Sequence, residues 1–234
     1  MRAARMINLI YLPLTIGLFL LAQQLYKKFP TPLLNPVLVS LTALVLLLLF
    51  AQIDYSHYNQ YASVLTFLLK PAVVALGVPL YQQLHSIKKE LPQILSLVFV
   101  SVVIAVVSTT ALALLVGASA QIAASLSPKS VTTPIAVLIA DQIGGQPSIA
   151  AIAVMVTGLV GSVVGVPWLR AMRVHHPKAQ GIAMGTACHA LGTARIVEEG
   201  AQQGAYSAFA LVLSAILSSL LCPILVPLVS AWLA

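Results

Sequence analysis

Apolar residues run through this chain in long unbroken blocks. Five of them, 7–26, 33–53, 91–118, 147–168 and 205–233, are long enough to cross a bilayer, since a hydrocarbon core of roughly 30 Å takes about 20 helical residues. Blocks that are apolar all round belong in lipid; a helix facing water would keep a polar side. Three weaker segments lie between them. Residues 62–81 are interrupted by Lys70-Pro71, 121–141 contain the stretch SLSPKSVTTPIA (125–136), and 179–199 are rich in small and polar residues and end in charge. The pattern predicts an all-α, polytopic helical membrane protein. About six to eight membrane segments are expected, some interrupted or re-entrant, in one integral membrane domain over residues 1–234.

Composition agrees: 60% of the 234 residues are hydrophobic and 7% charged, where a soluble domain carries about a quarter charged residues. The net charge of +7 changes the picture only through its placement. Arg2 and Arg5, Lys27 and Lys28, Lys88 and Lys89, and Arg170, Arg173 and Lys178 sit between apolar blocks. That is the marking of cytoplasmic loops, not of a nucleic-acid surface. If those loops share one side, 62–81 crosses, 121–141 dips in and returns, and a loop holding Asp54, His57 and Tyr58 faces outward. The first block runs on to about Leu25 without a small-x-small cleavage site and reads as an uncleaved first span. A multi-pass protein of the cell inner membrane is expected, with the lipid bilayer as its surroundings. Cys188 and Cys222 lie in separate apolar segments and are expected to be buried free thiols.

The stretch at 125–136 carries the chemistry. In hydrocarbon, irregular backbone survives only where protein or a wet cavity pairs its N–H and C=O groups. Pro128 and Pro134 each remove a donor and break the helix. Thr133-Pro134 reads as a helix start, with a hydroxyl cap and proline at the first position. From Pro134 to Asp141 a half-helix of about 12 Å would run from the midplane to one surface. Its free N–H groups and partial positive charge suit an anion such as a carboxylate. Ser127, Ser130, Thr132 and Thr133 add hydroxyls and Lys129 a full charge. Lys129 either meets substrate there or snorkels to the interface. Asp141, before Gly144-Gly145, reads as a helix-end residue.

The second constellation is GTACHALGTARIVEEG, 185–200. On a continuous helix Thr186, His189 and Thr193 share a face, and Gly181 and Gly185, four apart, allow close helix approach. His189 is a substrate ligand, a proton carrier or a satisfied core residue. Arg195 with Glu198 and Glu199 is either a helix-end ion pair or an inner gate. His175-His176-Pro177 reads as a solvated turn with no companion for a metal, and neither a metal nor a cofactor is expected. With no HExxH and no GxSxG, the chain is not expected to be an enzyme. Interrupted spans in both halves of a chain point to a transporter's binding site. The Pro-x-x-Val shared by 71–74 and 128–131 carries no weight by itself, and an inverted repeat is a candidate only through those interrupted spans.

PAVVALGVPLYQQL (71–84), SPKSVTTPIA (127–136) and GTACHALGTARIVEEG (185–200) together resemble the LrgB/CidB family over most of the chain. Lys70 stands where the family usually shows a glycine before the proline. The resemblance implies one of two activities. One is carriage of small monocarboxylates such as pyruvate, glycolate or glycerate. The other is a holin- or antiholin-like modulation of murein hydrolase activity and cell lysis, with a small LrgA/CidA-type membrane partner. A homo-oligomer is expected. The buried polarity of 127–134 favours the carrier, with Ser127, Lys129, Ser130, Thr132 and Thr133 facing substrate and Thr186, His189, Thr193 and Arg195 opposite.

Overall fold

The computed structural model describes residues 10–29, 31, 34–75 and 87–233, with the side chains of 66, 69, 70 and 72–75 excepted. The regular secondary structure of the described residues is all helical, with no strand among them. The helices are α1 Tyr11–Lys28, α2 Pro36–Phe50, α3 Tyr55–Ala75, α4 Leu91–Leu115, α5 Ala120–Leu126, α6 Thr133–Gln142, α7 Pro147–Ala171, α8 Pro177–Val197 and α9 Ala201–Leu233. The chain forms two compact units, residues 1–74 and 75–234.

In the first unit Asn35 caps α2, its side chain accepting from the Val37 N–H at 2.9 Å, with Pro36 at the first turn. Its core joins Tyr11, Tyr58 and Ala62. Tyr58 was expected in an outward loop, but helix α3 already starts at Tyr55, and Tyr58 is buried with its hydroxyl 2.9 Å from that of Thr15. Aromatic packing against Tyr11 outweighs the polarity of the DYSHY stretch. α2 is apolar but has 15 residues, shorter than the block read from the sequence. The expected crossing at 62–81 coincides with α3 as far as Ala75, and its remainder lies outside the described residues.

Three described helices are long and apolar enough to span a membrane: α4, α7 and α9. All belong to the second unit. Between α4 and α7 the chain makes a re-entrant hairpin. The Gln146 N–H donates to Ser125 Oγ at 2.7 Å, and Gln146 Nε2 donates to Gln121 Oε1 at 3.2 Å. Residues 21 and 25 positions apart therefore sit at one level, where a continuous helix would separate them by more than about 30 Å. So α5 and α6 form a hairpin that turns over 127–132, with its two outer ends side by side.

A second hairpin is hidden within α8. His189 has φ 44° and ψ −142°, outside the helical region. A Cβ on Gly192 would stand 3.1 Å from the Met184 carbonyl oxygen, eight residues away and about 12 Å along an unbroken helix. Ile196 packs with Val166, Met184 and Cys188, and Glu199 pairs with Arg170 at the end of α7. The segment goes in as far as Cys188, reverses at His189 and comes back. A spanning helix followed by a hairpin opening on the face just reached thus occurs twice, in opposite orientation: α4 with α5–α6, then α7 with α8. The two halves of this unit, 91–142 and 147–199, share one order of elements, a long helix followed by a hairpin.

Small residues make this packing close. Cβ atoms on Gly181 and Gly185 would lie 2.4 Å from the Gln203 carbonyl oxygen and 2.2 Å from that of Ser207, so α8 and α9 touch backbone to backbone, as the four-residue glycine spacing predicted. At the face where α4 begins, Glu90 pairs with Lys178, accepts from the Tyr206 hydroxyl at 2.8 Å, and so ties α4, α8 and α9 together. The hydrogen bond from Lys178 is the main reason the Glu90 carboxyl titrates below its ordinary range, and Glu90 in turn raises the Lys178 ammonium. A depressed carboxyl stabilises the fold above its unfolded pKa and stops doing so as pH falls through the folded one. Melting temperature should therefore drop on acidification below about pH 4.5, and the drop should be smaller in Glu90→Gln. Both side chains are about one-third exposed, so the effect is modest.

The same contact puts the basic loops at 88–89 and 170–178 on one face. Cysteines at Lys89 and Ala171 should be protected from an impermeant reagent outside the cell. Cysteines at Val116 and Gln142, flanking the first hairpin, should both react. Reaction of only one of the latter two would mean that 120–142 crosses.

Candidate functional site

The two hairpin tips meet at one cavity. The ten residues of α6 rise about 15 Å, half of a roughly 30 Å hydrocarbon core, and the inbound arm of α8 reaches a similar depth. Ser127, Pro128 and Ser130 from the first tip share a cavity with Thr186 from the second. α4 contributes Val102, Ala105 and Val106 to its wall, and α9 contributes Ser214 and Ser218. The cavity measures about 10 Å³, room for roughly one water molecule. Pro128 has no N–H to give the Ala124 carbonyl, and the Ser127 hydroxyl takes that place at 2.9 Å, so the chain leaves α5 with its last turn satisfied.

The helix start lies one residue earlier than the sequence suggested. Thr132, not Thr133, is the cap of α6, and its hydroxyl makes no cap hydrogen bond. That oxygen is buried without a partner among the described residues. Pro134 fixes the first turn, so the cap is dispensable and the hydroxyl stays available beside the free N–H groups of a helix start. Lys129 is half-buried within electrostatic range of Cys188 on the second hairpin. Its ammonium has no hydrogen bond or ion pair among the described residues. A lysine at membrane depth costs about 2.5–3.5 kcal/mol on insertion scales, and a buried charge is normally paired.

The second constellation is distributed differently from the sequence expectation. Because the chain reverses at His189, Thr186, His189 and Thr193 do not share a helix face. Thr186 lines the cavity and donates to the Ile182 carbonyl at 2.8 Å. His189 is a satisfied core residue at the tip: Nε2 donates to the Val154 carbonyl at 2.7 Å, and the ring lies where a Cβ on Gly158 would be. Thr193, on the returning arm, bonds Ser207 of α9 at 2.9 Å. Arg195 is taken up by Glu198 at 3.1 Å and Glu199 at 2.8 Å, and Glu199 also holds Arg170. That ion-pair group lies at the membrane face, apart from the hairpin tips. Asp141 is exposed at the far end of α6. Cys188 and Cys222 are buried free thiols. Ser214 and Ser218 were not singled out by sequence reasoning, although two serines four apart on an apolar helix share one face.

A family profile, the LrgB-like family, matches residues 15–228. The chain belongs to the LrgB-like family. Relatives of this LrgB-like chain include the uncharacterized protein YwbG of Bacillus subtilis, 36% identical over 209 residues, which are 89% of this chain and 93% of that protein. The holin-like protein CidB of Staphylococcus aureus is 33% identical over 211 residues, 88% of this chain and 90% of its own. CidB of Staphylococcus epidermidis is 32% identical over 202 residues, with 86% and 88% covered. No solved structure matches the chain. The two re-entrant hairpins and the polar cavity between them fall inside the stretch that defines the family.

Proposed function

We propose that this LrgB-like protein is a secondary transporter of small monocarboxylates, with pyruvate-, glycolate- or glycerate-sized anions held at Lys129 and the start of α6, on the α6 side of the break at 127–132. The observation that carries this reading is Lys129, a cation without a protein partner among the described residues, at a helix break in the membrane. Beside it, Thr132 offers a buried, unused hydroxyl at the start of α6. Paired inverted segments with broken helices at the midplane are the architecture of alternating access. The protein works in the inner membrane as an oligomer, catalyses no covalent reaction and needs neither a metal nor a cofactor. The test is uptake of labelled pyruvate, glycolate and glycerate into proteoliposomes, with and without a pH gradient. Protein-dependent, saturable uptake of one of them supports the assignment; none above protein-free vesicles would end it.

A second reading has its own support. The relatives cited above with a functional name are called holin-like, and by name they favour a lysis-modulating role over carriage. In that role the protein would act with a small LrgA/CidA-type membrane partner and alter murein hydrolase activity. Such a role requires no anion-binding group at mid-membrane. Hydrolase release changed by deletion and restored equally by wild type and Lys129→Gln, without carboxylate uptake, would establish it.

A further inference from the structure

The cavity between the tips offers oxygen lone pairs from neutral hydroxyls, and its size suits a small cation. Ser127 and Thr186 both spend their hydroxyl hydrogens on helix carbonyls, at 2.9 and 2.8 Å, so toward the cavity they can only accept. Ser214, 1% exposed, lines the same space and its Oγ has no partner among the described residues. Ser130 and Ser218 complete the lining of hydroxyls. Pro128 in the wall supplies no N–H. The space is too small for an organic ligand.

The helix ends have matching polarity. The break at 127–132 presents the carbonyl end of α5 on one side and the N–H end of α6 on the other. In discontinuous membrane helices, carbonyl ends and unwound backbone hold cations while N–H ends hold substrate anions. Neutral hydroxyls suit a monovalent ion, since divalent cations draw carboxylates into their shells. The chain has five acidic residues. Glu90, Glu198 and Glu199 are committed to ion pairs at the membrane face, Asp141 is exposed at the end of α6, and Asp54 belongs to the other unit. None of them lines the cavity, so a carboxyl-borne proton is not at hand there.

We propose that Ser127, Ser130, Thr186, Ser214 and Ser218 form a sodium site, and that this ion accompanies the carboxylate held on the α6 side of the same break. The coupling role rests on the transport reading; the binding does not. The experiment is thermal unfolding of the purified full chain in sodium, potassium and choline chloride at equal ionic strength. Sodium alone should raise the melting temperature, by roughly 3–5 °C per tenfold concentration once the site is filled. Ser214→Ala and Ser218→Ala should each lose most of that rise. A melting temperature indifferent to sodium, or an unchanged rise in both variants, would mean that the cavity holds only water. Carboxylate affinity measured on the same preparation keeps the two ideas apart: sodium-independent carboxylate binding overturns the coupled ion alone, whereas sodium stabilisation without any carboxylate binding removes the transport reading and leaves the ion site.

Discussion

Replacing Lys129 by glutamine is expected to weaken binding of small carboxylates by roughly ten- to hundredfold while the protein still inserts and folds. Glutamine keeps hydrogen-bonding capacity and removes the charge. A hydrogen bond to a charged group contributes about 1.5–3 kcal/mol, and 1.4 kcal/mol is a decade of affinity. Folding should survive because Lys129 holds no protein partner among the described residues whose loss would leave another group exposed. Losing an unpaired charge at membrane depth is, if anything, favourable to insertion. A snorkelling lysine would behave differently, leaving affinity unchanged for every carboxylate tried. Equilibrium binding on purified, monodisperse protein decides, with the melting temperature recorded on the same samples. Unchanged affinity in a normally folded variant would remove the carboxylate site from the hairpin tips.

The parts of this fold that could be read from the sequence are those with a one-dimensional signature. Spans α4, α7 and α9 follow from apolar length alone, and the first hairpin follows from Pro128, Pro134 and the parity of the basic loops. The Gly181/Gly185 seam follows from spacing. The second hairpin had no comparable mark. Its reversal falls on His189, a non-glycine residue at positive φ with no proline beside it, and its geometry is imposed by tertiary contacts: Gly158 makes room for the ring and the Val154 carbonyl holds it. A helical face drawn through Thr186, His189 and Thr193 therefore fails, since the period of 3.6 applies only while the helix continues. Arg195 shows the same dependence from the electrostatic side. The local spacing to Glu198 and Glu199 was visible, but the tie to Arg170 that fixes this end of the hairpin joins residues 29 apart. Ser214 and Ser218 had a spacing signal, overlooked because serines in apolar helices commonly bond their own backbone.

Gly185→Val should be the most damaging single change in the second unit, because it attacks the seam that carries both the hairpin and the cavity. A Cβ at 185 would stand 2.2 Å from the Ser207 carbonyl oxygen and 2.9 Å from its carbonyl carbon and Cα. These are backbone atoms of α9, so no side chain can swing away and the helices must separate. Overpacking a close-packed site typically costs about 1–3 kcal/mol and more where the backbone must move, and a chain of this size loses about 2–4 °C for each kcal/mol. A drop of roughly 5 °C or more is therefore expected, together with loss of the stabilisation by sodium, since Thr186 is the next residue and the Thr193–Ser207 bond at 2.9 Å spans the same gap. Gly17→Ala is the control. Nothing lies within 4 Å of a Cβ there, it sits inside helix α1, and alanine in a helix interior is favoured over glycine by roughly 0.5–1 kcal/mol. Its melting temperature should hold or rise. If Gly185→Val melted with the wild type, the backbone contact between α8 and α9 could not be as close as these distances require, and the position of Thr186 in the cavity would fall with it.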